Sequence, residues 1–252
     1  MKYIVTGATG HIGNNLVKKL LECGHDVTIL IRNINDPSIK EFACEKLIGD
    51  LNDFAFVESV DLNDAIVVHS AGIIDITEKK VEQMMEVNVE ATINLVQACI
   101  KKHARKFVYI SSTDAISGKN KVIKEPTEFS LEGLNTYYGI TKAIASDYVL
   151  KTLKLGLLDG CIICPSAVLG TRDYKVSSQG SVVKNSLNKK IAFYTKGNYN
   201  FVDVDKVVDA IYNASIKNNS LVYLVTGVDV TIKEFFTAIY KGLGKKPIMI
   251  YA

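Results

Sequence analysis

A short apolar run, Tyr3-Ile4-Val5, leads directly into Thr6-Gly7-Ala8-Thr9-Gly10-His11-Ile12-Gly13, and an amphipathic stretch comes next. Three glycines spaced in this way between a strand and a helix constrain the fold more than any other feature of the chain. Gly7 permits a tight turn off the strand, Gly10 lets the backbone approach a diphosphate, and Gly13 lets the helix pack closely on the strand. The helix N-terminus then presents free N–H groups and a positive dipole end to an anion. In this context the loop reads as the phosphate cradle of a nicotinamide dinucleotide, formed by Gly7, Thr9, Gly10, His11, Ile12 and Gly13. The plainer alternative is a strand–turn–helix that happens to be rich in glycine.

The rest of the chain alternates short apolar runs with longer amphipathic ones. Strands are expected at 2–6, 26–31, 45–48, 65–69, 107–111, 160–164 and 221–225, and helices at 11–23, 53–60, 79–102, 136–155 and 205–217. Wholly apolar strands alternating with helices predict an α/β fold, a doubly wound parallel sheet of the Rossmann type. After Pro165 the rhythm breaks into loops, a short polar helix and a strand-like piece at 191–194. The expected layout is a dinucleotide-binding domain at 1–165, completed by 205–225, with a small substrate lobe assembled from 166–204 and 226–252.

Two features bear on the choice of cofactor. A free ribose 2′-hydroxyl calls for an acidic residue at the end of the second strand. Ile31 stands there instead, succeeded by Arg32, whose guanidinium can pair with a 2′-phosphate and stack on adenine. NADP is therefore expected over NAD, although a surface arginine serving solubility would look the same. Asp50, with Leu51, comes after the third strand and is placed to accept from the adenine amine, unless it caps the next helix. Ser70, Ala71 and Gly72 end the fourth strand, where small residues let the backbone approach the cofactor.

Tyr138 and Lys142 stand four residues apart and share a helix face. An ammonium beside a phenol favours the phenolate and tunes a proton donor or acceptor towards neutral pH. Alone, such a pair is common by chance. It is joined by Ser111-Ser112-Thr113 at the C-terminal end of the fifth strand, where ligands bind in sheets of this kind. Asn88 falls on the apolar stripe of the helix at 79–102, and a buried amide needs partners; a hydrogen-bond relay and a purely structural role are both open.

Composition narrows the class. Hydrophobic residues make up 48% of the 252, which excludes a disordered chain. No apolar run is long enough to span a bilayer. The glycine loop begins so close to the N-terminus that no signal peptide is expected, and a cytoplasmic location is inferred. The net charge of +3 is dispersed. Its densest cluster, Lys101-Lys102-His103-Ala104-Arg105-Lys106, sits at a helix end and complements the dipole, so no nucleic-acid partner is expected. Cys161 and Cys164 lie in a strand whose alternation keeps them from converging, and the four histidines lack ligand spacing, so no metal is expected.

These motifs, in this order, make the chain similar to the extended short-chain dehydrogenase/reductases, the branch of NAD(P)-dependent epimerase/dehydratases and dihydroflavonol-reductase-like enzymes. The likeness also draws on Asn88-Val89 with Asn94, Pro165-Ser166 and Phe201-Val202-Asp203-Val204. It implies Tyr138 as the catalytic acid or base, Lys142 as its tuner and a ribose ligand, and Thr113, ahead of Ser112, as the hydroxyl that orients substrate. It implies Asn88 as a relay residue and Pro165 as the start of the segment at the nicotinamide. The family's usual C-terminal lobe is longer than the stretch beyond Pro165 in this chain. Two departures matter. Ser112-Thr113-Asp114 resembles the sugar-nucleotide dehydratase motif, but Ala115 replaces its glutamate, which argues against elimination. The family's aromatic-glycine pair is Ser117-Gly118, which loosens the likeness to sugar epimerases.

Three functions are compatible with these residues. The first is an NADP-dependent reductase or dehydrogenase acting on a small-molecule carbonyl or alcohol through Thr113, Tyr138 and Lys142. The second is a sugar-nucleotide epimerase with tightly bound cofactor, in which Arg172, Lys175 and Lys184 would hold the substrate diphosphate. The third is a non-enzymatic NADP sensor. The resemblance also implies a homodimer through the helices at 79–102 and 136–155, with Tyr148 and Val149 expected on the outward face.

Overall fold

Tyr3, Ile4, Val5 and Thr6 are all buried, as a strand covered on both faces requires. They form β1 (Lys2–Thr6) in a computed structural model that describes residues 1–75, 77–116, 122–217 and 219–252. The chain continues through α1 (His11–Glu22), β2 (Asp26–Ile31), β3 (Glu45–Ile48), α2 (Phe54–Ser59) and β4 (Ile66–His69). Next come α3 (Val81–Met85), a π-helical turn at Glu86–Glu90 and α4 (Ala91–Lys101). β5 (Lys106–Ile110), α5 (Tyr137–Lys154) and β6 (Gly160–Pro165) complete the central part. The last third holds β7 (Ala167–Leu169), α6 (Ser178–Ser186), β8 (Ile191–Tyr194), β9 (Asn198–Asp203) and α7 (Val204–Ile216). It ends with β10 (Val222–Val225), β11 (Val228–Thr231), α8 (Ile232–Gly242) and β12 (Ile248–Tyr251).

Seven strands form one parallel sheet in the order β10-β6-β5-β4-β1-β2-β3. The order reverses between β1 and β4, and the carboxyl ends of both strands open onto the crevice where a doubly wound sheet binds its ligand. Two apolar layers cover the sheet. On one face Leu95 and Val96 of α4 meet Ala143, Val149 and Leu153 of α5. On the other, Leu16 and Leu20 of α1 meet Val207 and Ile211 of α7. Cys161 belongs to the second layer and Cys164 to the first, so the two thiols face opposite sides of β6.

The expected strands and helices of the large sheet are present within a residue or two at their ends. The helix expected at 79–102 runs without interruption through α3, the π-helical turn and α4, and the turn itself is a type that hydrophobic period does not signal. Two small sheets accompany the large one, and of their strands β8 coincides with the strand-like piece expected at 191–194. β11, β9 and β7 form one, and β12 pairs with β8 in the other. Phe201 of β9 stacks on Phe235 of α8 with centroids 4.5 Å apart. Val149, expected on an outward face, is 1% exposed and packs in the core, whereas Tyr148 is half-buried. The basic run 101–106 is paired within the fold. Lys101 meets Glu58, Lys102 donates to the Val60 carbonyl at 2.9 Å, and Arg105 meets Asp64 at 2.6 Å.

Candidate functional site

α1 begins at His11 with Gly10 as its cap, and no side chain accepts from its first N–H groups. Those donors need an acceptor, and an anion is the natural one. Gly7 adopts φ +74, and a Cβ there would stand 2.6 Å from the backbone of Ser70 and Ala71. A Cβ on Gly13 would stand 2.4 Å from the Gly7 carbonyl oxygen, which accounts for the close packing of helix on loop. Gly7, Thr9 and Gly10 line a groove at the sheet's carboxyl edge, joined by Arg32, Asp50, Leu51, Ser70, Ala71 and Gly72. All nine are residues that the sequence assigns to the cofactor. Ile73, Val87, Ala91 and Lys175 also line the groove, and sequence reasoning does not assign them to it.

The residues fit a dinucleotide. The helix start is uncapped, the glycine-lined wall admits close approach, and two buried polar atoms await partners. Among the described residues, His11 Nε2 and Ser166 Oγ are buried side-chain atoms without a hydrogen bond. Their residues directly succeed Gly10 and Pro165, in the two segments expected at the diphosphate and the nicotinamide. The choice for Asp50 is narrowed as well. The cap of α2 is Asp53, which accepts from Ala55 N at 2.9 Å, while Asp50 accepts from Asn52 N at 3.0 Å and faces the groove.

Behind Gly72 the site becomes densely packed. A Cβ on Gly72 would lie 3.2 Å from Asn88 Oδ1 and 3.7 Å from Lys142 Nζ, so this bare Cα separates the groove from both side chains. Asn88 sits in the π-helical turn. Its Oδ1 accepts from Ile73 N at 2.8 Å, and its Nδ2 donates to the Ile73 carbonyl at 2.9 Å and to Thr141 Oγ1 at 3.1 Å. The amide thereby ties the groove wall to α5.

Lys142 is 4% exposed and donates to the Ile110 carbonyl at 2.6 Å and to Tyr109 Oη at 3.1 Å. Desolvation drives its ammonium down to about 7, slightly offset by Cys164. Tyr109 hydrogen-bonds Thr92, and Thr92 Oγ1 donates to the Asn88 carbonyl at 2.8 Å. Because that donation uses the Thr92 proton, His69 Nε2, 2.9 Å away, must be the donor to Thr92 Oγ1. His69 Nδ1 is then the acceptor for Thr6 Oγ1 at 2.7 Å, and Thr6 Oγ1 accepts in turn from Ala71 N at 3.2 Å. The network is satisfied with a neutral imidazole. Complete burial, with Lys142 as a further repulsive charge, pushes His69 down to about 3.

Tyr138 stands at the start of α5, which Thr136 caps at Gly139 N with a 3.0 Å bond. Burial holds its phenol well above the ordinary value, the Asp114 carboxylate adds to this, and a hydrogen bond with Ser112 works in the opposite direction. Desolvation likewise raises the Asp114 carboxyl. Ser112 caps the 3-10 turn Thr113–Ala115, which carries the half-buried Thr113 beside it. The structure thus brings Tyr138 to Ser112 and Asp114 and Lys142 to Tyr109, and burial holds the Tyr138 phenol above its ordinary value where the sequence leads one to expect Lys142 to tune it towards neutral pH. Ser117-Gly118 lies outside the described residues.

Arg172 and Lys175 do not face a separate substrate pocket. Arg172 Nε donates to Asn14 Oδ1 at 2.7 Å, and Lys175 Nζ donates to Thr9 Oγ1 at 2.5 Å. Both contacts are with the glycine loop and the helix it opens. Among the described residues no group of three or more His, Cys, Asp or Glu is placed to hold a metal, and no helix is long and apolar enough to cross a membrane.

An uncapped helix at the switch point of a parallel sheet, with the half-buried Tyr138 and the buried Lys142 on α5 beside it, is the site of an NAD(P)-binding enzyme of the oxidoreductase type. The chain belongs to the NAD dependent epimerase/dehydratase family, whose model matches residues 3–223, and within it to the extended short-chain dehydrogenase/reductases. It is 30% identical over 237 residues to "Sterol demethylase protein B" of Methylococcus capsulatus, covering 93% of this chain and 72% of that protein. It is 31% identical over 180 residues to "3-beta-hydroxysteroid dehydrogenase" of Mycolicibacterium neoaurum, covering 68% of this chain but about half, 49%, of that protein. The crystal structure of UDP-glucose 4-epimerase from Thermotoga maritima superposes with a TM-score of 0.85 at 21% identity, over 99% of this chain and 85% of that one, a likeness of fold.

Proposed function

We propose that this chain reduces a carbonyl group of a small molecule, or oxidises the corresponding alcohol, with NADP as its cofactor. The observation that carries the reading is the half-buried Tyr138 at the start of α5, its phenol hydrogen-bonded to Ser112 at the carboxyl edge of the sheet. Carbonyl reduction needs such a group, because the substrate oxygen gains a proton as its carbon gains hydride. The nicotinamide, when bound, supplies that hydride or takes it back. Thr113 and Ser112 offer hydroxyls to the substrate oxygen and steady its developing charge. Lys142 holds ribose hydroxyls and brings positive charge towards Tyr138 when the proton leaves. Asn88 keeps the groove wall in register with α5 through Ile73 and Thr141. Pro165 starts the nicotinamide-facing segment, and Arg32 pairs with the 2′-phosphate at the end of β2.

The substrate lobe in this reading comprises 166–204 and 226–252, and the enzyme acts in the cytoplasm. Its assembly is a homodimer through α4 and α5, which carry the half-buried Ile93, Ile100, Ile144 and Tyr148. A sugar-nucleotide epimerase is the second reading, supported by the family. It is weakened because Arg172 and Lys175 contact Asn14 and Thr9, leaving Lys184 alone of the three cations proposed for a substrate diphosphate.

The test is Tyr138→Phe, which keeps the ring and removes the transferable proton. Turnover of a confirmed substrate is expected to fall roughly 10²–10⁴-fold with cofactor affinity unchanged. Normal turnover would remove Tyr138 as the acid.

A further inference from the structure

The segment between β7 and α6 is strapped across the start of α1. Asn15 Nδ2 donates to the Thr171 carbonyl at 2.9 Å, and Arg172 Nε donates to Asn14 Oδ1 at 2.7 Å. The Arg172 guanidinium also pairs with Glu41 and sits between the Phe42 and Tyr174 rings, 5.4 Å and 5.5 Å from their centroids. Arg172 and Val176 hold φ values of 63 and 54, a backbone conformation that such residues adopt only when their surroundings enforce it. Three residues beyond the anchor, Lys175 extends over the glycine loop and lines the same groove as Arg32.

The surroundings of its ammonium leave it free to take up an anion at the groove. Its hydrogen bond among the described residues is to the neutral hydroxyl of Thr9, at 2.5 Å. The nearest carboxylate oxygen of Asp36 is 4.0 Å away, beyond hydrogen-bond distance. Asp36 is already engaged by Ser38 N at 3.0 Å and Ser38 Oγ at 2.6 Å. Burial opposes its ionisation, but those bonds and the charge of Lys175 hold its carboxyl below the ordinary value. Lys175 therefore stands between the glycine loop and the segment after β2, the place where the adenosine ribose of a dinucleotide lies.

We propose that Lys175 is a second cation for the 2′-phosphate of the cofactor, supplied by the strap and positioned by Arg172, opposite Arg32 at the end of β2. The inference rests on the NADP reading. It makes cofactor choice depend on a residue separated from the glycine loop by 166 positions in sequence.

The experiment is binding, without turnover. NADPH and NADH are titrated into the full chain, into Arg32→Ala and into Lys175→Met, with nicotinamide fluorescence as the readout. The Lys175 side chain is 56% exposed, so its replacement does not threaten the fold. The unmodified protein is expected to prefer NADPH. Lys175→Met is expected to weaken NADPH binding roughly tenfold, the scale of one charge-assisted contact, and to leave NADH binding as it was. Unchanged NADPH affinity, or an equal loss for both nucleotides, overturns the role of Lys175. If Arg32→Ala narrows the preference while Lys175→Met does not, the inference alone fails. If the unmodified protein shows no preference, the NADP reading fails with it.

Discussion

Lys142 Nζ donates to Tyr109 Oη across 3.1 Å and lies 4.6 Å from the centre of the same ring. Lys142, which the sequence sets four residues from Tyr138, is held by a different and wholly buried tyrosine on β5. Tyr109 Oη is one of the few acceptors that burial leaves to the Lys142 ammonium, and the contact favours the charged form that desolvation opposes.

Tyr109→Phe removes the oxygen and keeps the ring. Lys142 is then left with a buried donor lacking its acceptor, which costs about 1–3 kcal/mol of stability in denaturant unfolding. The Nζ titration, read by NMR on lysine-labelled protein, is expected to move below its starting point of about 7. An unmoved midpoint with unchanged stability would show that the contact does nothing.

His69 gives a pH dependence whose sign is fixed. Its native value of about 3 lies below the ordinary 6.5, so between these limits the unfolded chain binds a proton that the native state refuses. Stability is thus lost as pH falls through this window. The expected slope due to His69 is about 1.4 kcal/mol per pH unit. Measured as the difference between the unmodified protein and His69→Asn, the slope appears below pH 6.5 and is absent above it. A difference that stays constant with pH would mean that His69 protonates in place.

The proposed dimer is checked by light scattering at micromolar concentration. One chain weighs 27.7 kDa, and a species of about twice that mass is expected. Tyr148→Glu, on the half-buried face of α5, is expected to split it with the fold intact. Val149→Glu would instead unfold the chain, because Val149 is a core residue. A single species of monomer mass in the unmodified protein removes the interface.

Much of this site is legible in local pattern. Gly7, Gly10 and Gly13 between strand and helix mark the phosphate loop, and strand ends place Arg32, Asp50 and Ser70 on the groove. These are short-range signals, because each residue's position is set by the element it terminates. The features that escape depend on contacts distant in sequence. Tyr109 looks like any buried strand residue until α5 brings Lys142 onto it. Lys175 looks like a loop cation until the strap lays it on Thr9. The strands at 198–203 and 228–231 pair with each other, and neither is apolar enough to be recognised alone. The π-helical turn around Asn88 leaves the apolar stripe of the helix unbroken, so period alone does not disclose it.

The most direct measurement mixes the purified chain with NADPH and a panel of aldehydes, ketones and nucleotide sugars, recording both nicotinamide absorbance and product identity. The account predicts net NADPH consumption in step with alcohol formation from a carbonyl compound, abolished by Tyr138→Phe. Isomerisation of a nucleotide sugar with no net NADPH consumption would contradict it.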